Sequence, residues 1–212
     1  MDNPTARALL KIGAVFFRPD EPFIWASGIK SPVYCDNRLI LTAPDIRSET
    51  AKAIAGAVSL YYPGCELLMG TATAGIAHAA LAAHLLGLPM GYVRGAAKGH
   101  GRGKLIEGKL DPGQKTVVVE DLISTGGSVV ETVKILKEAG ADVLGVVSIF
   151  TYAMKEAKRR LEAENISAVS LVSFDEVIEA ALAGGYIGKG DPARLLAFRD
   201  NPSDESWIGA GI

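Results

Sequence analysis

The sequence predicts an α/β fold with a doubly wound, mainly parallel sheet. Short runs of branched apolar residues alternate with helix-length segments from residue 66 onward, as strands joined by helical crossovers do. One of these runs, 117–119, is followed by two carboxylates and a turn of small residues, which is typical of the ligand-binding edge of such a sheet. Residues 15–41 instead carry aromatic and β-branched runs broken by prolines, which indicates short antiparallel strands.

The order of the elements follows from the residues that begin and end them. Asn3 and Pro4 favour the start of a helix toward residue 12, and Gly13 ends it. Pro44 and Asp45 begin a second helix that extends to about residue 60. Further strands are expected over 66–70, 90–93, 116–120, 143–150 and 168–171. Further helices are expected over 75–86, 128–139, 154–164 and 174–183, with a polar loop over 94–113.

The whole chain, 1–212, is predicted to be one domain. It divides into a small N-terminal hood over 1–42, a core over 43–184 and a C-terminal tail over 185–212. The tail is rich in glycine and proline, and its pattern indicates its structure least clearly.

The composition indicates a soluble globular domain and argues against several classes of partner. Hydrophobic residues make up 49% of the chain, and the net charge of −2 provides no basic field for nucleic acid. No apolar run is long enough to span a membrane, and no signal peptide is apparent. Cys35 and Cys65 lack the spacing of a paired motif, so reduced thiols and a cytoplasmic location are expected.

The segment 120–128 combines two kinds of ligand contact. Glycines in the turn let backbone N–H groups approach a phosphate at the start of the next helix, whose dipole favours negative charge. Glu120 and Asp121 would repel that phosphate and are better suited to accept hydrogen bonds from sugar hydroxyls. The plainer alternative is an ordinary strand-to-helix turn with a serine cap. The absence of an adjacent Lys or Arg argues against it, because unpaired buried charge is costly.

Three motifs resemble a known family. The segment 120–128 resembles the phosphoribosyl-diphosphate signature of the type I phosphoribosyltransferases. The hairpin over 23–38, with its Ser-Gly-x-Lys-Ser-Pro core, is similar to the substrate-proximal hairpin of orotate phosphoribosyltransferases. Arg94, Lys98 and His100 match the basic loop of the same family.

The resemblance implies transfer of the 5-phosphoribosyl group from 5-phospho-α-D-ribose 1-diphosphate (PRPP) to orotate, giving orotidine 5′-phosphate and diphosphate. It implies catalytic roles for Arg94, Lys98, His100 and Asp121. The PRPP site would comprise Arg94, Lys98, His100, Glu120, Asp121, Leu122, Ile123, Ser124, Thr125, Gly126, Gly127 and Ser128. Orotate would contact Ser124, with Lys30 and Tyr34 as weaker candidates. Mg²⁺ would be held mainly through PRPP, with no direct protein ligand, and the active unit would be a homodimer whose basic loops reach into the neighbouring site.

Three departures from the family pattern leave some contacts open. Thr73 and Ala74 stand where many relatives have Tyr-Lys, so the segment 70–75 could be a pyrophosphate loop or a plain tight turn. Gly95 and Ala96 stand where many relatives have a second lysine. Tyr152 lies where some relatives have an arginine, which leaves the partner of the orotate carboxylate undetermined.

Other interpretations remain at this point. The basic segment 94–109 could be a solvated loop, and His78 and His84, six residues apart on a helix, are expected to be packing or surface residues. A regulator that binds PRPP or a nucleotide without turnover would retain the ribose and phosphate motif. A purine or uracil phosphoribosyltransferase would share the central motif, although it gives no reason for the hairpin.

Overall fold

Ten β-strands and seven α-helices are formed by the residues that the computed structural model describes, which are 3–25, 28–95 and 105–209. The strands are β1 (Val15–Phe17), β2 (Phe23–Ile24), β3 (Lys30–Ser31), β4 (Val33–Cys35), β5 (Leu67–Thr71), β6 (Met90–Val93), β7 (Ile106–Glu107), β8 (Lys115–Ile123), β9 (Asp142–Thr151) and β10 (Ala168–Ser173). The helices are α1 (Pro4–Lys11), α2 (Pro44–Tyr61), α3 (Ala74–Leu86), α4 (Gly127–Glu138), α5 (Lys155–Ala163), α6 (Phe174–Ala183) and α7 (Asp191–Asp200).

A six-stranded sheet with the order β10-β9-β8-β5-β6-β7 forms the centre of the molecule. All neighbours in it are parallel except β7, which pairs antiparallel with β6. The central strands are buried on both faces. Residues 117–119 are therefore all apolar, whereas a strand with one exposed face would alternate apolar and polar residues. The predicted α/β fold with a mainly parallel sheet is confirmed.

Two details of the sheet differ from the prediction. β8 continues to Ile123 instead of ending at Glu120, because Leu122 and Ile123 keep pairing with Phe150 and Thr151 of β9. The loop expected over 94–113 contains the short strand β7, which pairs with the end of β6. Both extensions depend on a neighbouring strand, which a local pattern does not reveal.

The hood consists of two small antiparallel ladders, β1 with β4 and β2 with β3, as the broken aromatic pattern predicts. A 3-10 helix over Asn37–Thr42 then leads into α2. The side chain of Asp36 caps it by accepting from the backbone N–H of Arg38 at 3.1 Å. This short helix was not predicted, since its residues carry no helical periodicity long enough to recognise.

The C-terminal tail contains a helix, α7, that the sequence did not indicate. Pro192 lies in its first turn, which is a favoured position, but the glycines before it hide the boundary. Leu195, Phe198 and Trp207 are buried in the same apolar cluster as the helices and strands of the core. The tail is therefore part of the packed structure.

The first prediction concerns the cap of α1. The side chain of Asn3 accepts from the backbone N–H groups of Thr5 and Ala6, and its amide donates to Leu171 and Glu176. We expect Asn3→Ala to lower the free energy of unfolding by about 1–2 kcal/mol, a typical loss for a helix cap. The melting temperature should fall by about 2–4 °C per kcal/mol in a chain of this size.

A matched control is Ser48→Ala, which removes an exposed hydroxyl bonded only to the carbonyl of Pro44. It should leave the melting temperature nearly unchanged. If the melting temperature of Asn3→Ala equals that of the wild type, the side chain of Asn3 does not stabilise the packing of α1 against β10 and α6.

Candidate active site

The carboxyl ends of β5, β6, β8 and β9 meet at one edge of the sheet. The predicted ribose and phosphate residues follow β8, the predicted pyrophosphate loop follows β5, and Arg94 follows β6. Parallel strands place such segments side by side, so residues distant in sequence come together.

Glu120 lies inside the sheet edge, on β8, with only 5% of its surface exposed. The hydroxyl of Thr71 donates to its Oε1 at 2.6 Å, and the backbone N–H of Asp121 donates to the same oxygen at 2.9 Å. Burial, followed by the neighbouring Asp121, raises the pKa of the Glu120 carboxyl from its ordinary value of 4.5 to about 8. Burial at this position therefore favours the protonated form of the carboxyl.

Asp121 is more accessible than Glu120. Its carboxyl nevertheless lies close enough to that of Glu120 to contribute, after burial, to the raised pKa of Glu120. The backbone carbonyl of Asp121 accepts from the side-chain amide of Asn37 at 2.7 Å, and Oδ1 of Asn37 accepts from the Cys35 thiol at 3.3 Å. The hood thus fixes the main chain at Asp121 and leaves its carboxylate available to a ligand.

The turn after β8 forms a cradle of backbone donors. Ser124 and Thr125 lead to Gly126, whose φ of 78° lies in the left-handed region that favours glycine. Gly126 rather than a serine occupies the cap position of α4, and no side chain caps the helix. The first N–H groups of α4 consequently lack a side-chain acceptor within the described structure, which is the condition for anion binding at a helix start.

The segment after β5 approaches β8 closely. α3 begins at Ala74, and a Cβ added at Gly75 would lie 2.5 Å from both the carbonyl oxygen of Val119 and the Thr71 hydroxyl. Only glycine allows α3 to start this close to β8. The candidate pyrophosphate loop is therefore held directly against the residues that precede Glu120.

Only part of the predicted basic loop can be placed. The backbone N–H of Arg94 donates to Leu105 at 2.8 Å, and its guanidinium lies 3.5 Å from the carboxylate of Glu107 on β7. Arg94 is thus at the same edge as the cradle, with an exposed side chain. Lys98 and His100 lie outside the described residues.

An aromatic cleft of about 570 Å³ adjoins the cradle. It is lined by Phe23, Ile24, Trp25, Tyr34, Cys35, Leu122, Ser124 and Tyr152. Two of the three predicted orotate contacts, Ser124 and Tyr34, lie in this cleft. Lys30 is not among its lining residues, and its ammonium pairs with Glu205 at 2.7 Å.

Sequence reasoning missed three aromatic residues of the cleft: Phe23, Trp25 and Tyr152. Phe23 and Trp25 belong to the recognised hairpin, and their proximity to Ser124 is a tertiary contact. The rings of Trp25 and Tyr152 are 5.5 Å apart, and those of Phe23 and Tyr34 are 5.7 Å apart. The cleft therefore has aromatic surfaces suited to a flat heterocycle.

The two histidines of α3 are placed differently. His78 is buried, and burial lowers the pKa of its imidazole; its Nε2 has no hydrogen-bond partner among the described residues. His84 is exposed. In the described part of the chain, no three His, Cys, Asp or Glu side chains form a metal-binding group, and no helix is long and apolar enough to cross a membrane.

The fold and the cradle define the class of protein. A profile of the phosphoribosyl transferase domain matches residues 41–181, which include the loop after β5, the carboxylate pair and the cradle. The molecule is therefore a phosphoribosyltransferase of the type I fold.

Comparison with similar proteins identifies the family within this class. The chain is 51% identical over 210 residues to orotate phosphoribosyltransferases of Bacillus cereus and Bacillus anthracis, covering 99% of this chain and 100% of each relative. The crystal structure of orotate phosphoribosyltransferase from Aeropyrum pernix is similar with a TM-score of 0.76 at 29% identity, covering 86% of this chain and 99% of that one. The structure of Leishmania donovani UMP synthase is similar with a TM-score of 0.78 at 27% identity, covering 92% of this chain and 41% of that one. The chain belongs to the orotate phosphoribosyltransferase family, and the resemblance stated from its motifs is confirmed.

The second prediction follows from the buried carboxyl of Glu120. Because the folded pKa of about 8 lies above the ordinary 4.5, the folded state holds a proton that the unfolded state releases between these values. The stability of the wild type should therefore decrease as pH rises from about 5 to about 8. Glu120→Gln cannot ionise. In the absence of ligand, we expect its melting temperature to exceed that of the wild type by a margin that grows from about pH 5 to about pH 8.

The control is Glu138→Gln, at an exposed carboxyl near the end of α4. Its melting temperature should differ from that of the wild type by the same small amount at every pH. A difference between Glu120→Gln and the wild type that stays constant from about pH 5 to about pH 8 would contradict the raised pKa of Glu120.

Proposed function

We propose that this enzyme transfers the 5-phosphoribosyl group of PRPP to N1 of orotate at the cleft described above. The observation that carries the proposal is the continuity of two sites. The cradle at the start of α4 and the aromatic cleft share Ser124, so a phosphorylated ribose and a flat base can lie side by side. This is the arrangement that transfer between the two requires.

Each part of the site has a role in this reaction. The N–H groups at the start of α4, with Thr125 and Ser128, bind the 5′-phosphate. Asp121 accepts from a ribose hydroxyl, and Glu120 supports it from within the sheet edge. The loop after β5 and Arg94 face the diphosphate, which leaves as C1 develops oxocarbenium character. The protein contributes mainly positioning and electrostatic stabilisation.

The orotate ring lies between the aromatic side chains of the cleft, and Ser124 orients its edge by hydrogen bonding. The carboxylate of orotate requires a cation near the hood. Lys30 is already paired with Glu205, whereas the guanidinium of Arg18 lies 4.9 Å from the centroid of the Phe23 ring. Arg18 is therefore a second candidate beside Lys30 for this contact, and neither side chain lines the cleft itself.

The residues present fit Mg²⁺ carried by the substrate. Mg²⁺ commonly binds one or two carboxylates together with substrate phosphates and waters, and the site offers one buried carboxyl and one accessible carboxylate. Bound together with the diphosphate, Mg²⁺ would neutralise charge on the leaving group. The free thiols of Cys35 and Cys65 fit the cytoplasmic location that we propose for the enzyme.

The third prediction tests the function itself. Purified protein should consume orotate only when PRPP and Mg²⁺ are both present, with release of diphosphate. Uracil, hypoxanthine and adenine should be poor substrates under the same conditions. Equal or faster turnover of one of these bases would contradict the choice of orotate, and binding of PRPP without turnover of any base would favour a regulator.

The fourth prediction concerns Asp121. Asp121→Asn keeps the shape of the side chain but weakens a charge-assisted hydrogen bond worth about 1.5–3 kcal/mol. We expect kcat/KM to fall by about 10- to 150-fold, with the melting temperature unchanged. Asp142→Asn, at the exposed start of β9 on the opposite edge of the sheet, is the control and should retain wild-type activity. Unfolding of Asp121→Asn at room temperature would indicate a structural role instead.

The fifth prediction concerns the assembly. We propose a homodimer in which the basic loop of each subunit acts in the site of its partner, in line with the family resemblance. Asp121→Asn and Lys98→Ala should each be nearly inactive. When their subunits are exchanged, random pairing makes about half of the molecules heterodimers, and about a quarter of all sites carry neither defect. Recovery of about that fraction of activity is expected, and no recovery after demonstrated exchange would place Lys98 in its own subunit's site.

A further inference from the structure

A buried arginine in the C-terminal segment joins three parts of the chain. Arg194 of α7 has 5% of its surface exposed. Its guanidinium donates to the carbonyl of Pro19, to the carboxylate of Asp20 at 2.9 Å and to the carbonyl of Trp207 at 2.9 Å. Pro19 and Asp20 lie between β1 and β2 of the hood. One side chain thus ties the hood to both α7 and the end of the chain.

We call the three contacts of Arg194 with Pro19, Asp20 and Trp207 the clamp. An aromatic contact and an ion pair lie beside it. The ring of Phe198 on α7 meets the ring of Trp25 edge-on at 5.7 Å, and Phe198 also packs on Trp207 at 5.9 Å. Lys30 of β3 pairs with Glu205 at 2.7 Å. The C-terminal segment therefore supports the hairpin from behind at Trp25, a residue that lines the base cleft.

These contacts lie close to the proposed base cleft and belong to a different part of the chain from the proposed PRPP residues. Residues 41–181, which the phosphoribosyl transferase profile matches, include the carboxylate pair and the phosphate cradle. The hood residues of the cleft and the C-terminal segment that supports them both lie outside that range. A substitution in the clamp should consequently weaken binding of the base more than binding of PRPP.

We propose that Arg194 is a positioning residue for the base, which holds Phe23 and Trp25 of the hood in the geometry that the orotate ring requires. This inference rests on the proposed use of the cleft for orotate. The fork of a guanidinium satisfies three acceptors at fixed angles, whereas the point charge of a lysine cannot reproduce this arrangement. Loss of the fork leaves two backbone carbonyls without their donor and frees the 19–25 segment from α7.

The decisive experiment compares the KM for orotate with the KM for PRPP in Arg194→Met and Arg194→Lys. We expect Arg194→Met to raise the KM for orotate by about tenfold or more, equivalent to about 1.4 kcal/mol of binding, while the KM for PRPP changes by less than about twofold. Arg194→Lys should lie between Arg194→Met and the wild type.

Arg199→Met is the matched control. Arg199 lies on the same helix, and its ion pairs are with Asp175 of α6 and with Asp200 rather than with the hood. Its loss should lower the melting temperature without a selective rise in the KM for orotate. An equal effect of Arg194→Met on both substrates, no effect on orotate, or the same selective effect in Arg199→Met would overturn the proposal.

A second measurement does not depend on turnover. The chain has two tryptophans, Trp25 and Trp207, so Trp25 is the only fluorophore of this kind in a Trp207→Phe background. There, Arg194→Met should raise the acrylamide quenching constant of Trp25 by about twofold, because local opening exposes the hood. If the wild type fails to use orotate, the proposed function fails, and the quenching result still decides whether the clamp holds the hood.

Should Arg194→Met not fold, Asp20→Ala takes its place. The side chain of Asp20 is 81% exposed, so its removal deletes one contact of the clamp with little risk to the core. The KM for orotate should then rise by about two- to threefold together with the quenching of Trp25. Unchanged values of both quantities in Asp20→Ala would overturn the proposal.

Discussion

The site depends on the close approach of α3 and β5 to β8. Gly75 has no Cβ, so the start of α3 lies against the carbonyl of Val119, and the hydroxyl of Thr71 reaches the carboxyl of Glu120. Parallel pairing alone aligns strand ends, but it does not bring their loops into contact. The missing Cβ and the hydrogen bond together hold the loop after β5 and the carboxylate pair at a fixed separation, and this precision is what the proposed catalysis by positioning requires.

The same approach buries an ionisable group at the proposed ribose site. A carboxyl as enclosed as Glu120 disfavours its charged form, and with only the Thr71 hydroxyl and one N–H as donors, its pKa is raised. Ribose hydroxyls supply further donors, and hydrogen bonds to the ionised form lower a carboxyl pKa. Binding of PRPP and ionisation of Glu120 should therefore favour each other. On the proposed function, the cost of burying this carboxyl is offset when a ribose hydroxyl donates to it.

The sequence predicts the part of the molecule in which local pattern and chemistry agree. The apolar run 117–119, the carboxylate pair and the glycine turn lie within one segment, so the sheet and the cradle could be predicted from it. The extension of β8 to Ile123 could not, because it depends on pairing with Thr151 of β9. Nor could α7, because its buried face is recognisable only from its partners, the hood and the core. The cleft combines Trp25, Tyr152 and Ser124 from three distant segments, and no spacing in one sequence reveals such a contact.

These differences share a physical cause that bears on how the family selects its base. The proposed PRPP contacts follow single strands and are encoded locally, within strand-turn-helix segments of the sequence. The hood residues of the proposed base site, Phe23 and Tyr34, lie on short strands of two or three residues, which are too small to be stable alone and take their geometry from what packs behind them. In this chain the packing is supplied by Arg194, Phe198 and Trp207 of the C-terminal segment. If Arg194 positions the hood as proposed, substitutions in the tail can alter the selection of the base without touching the cleft.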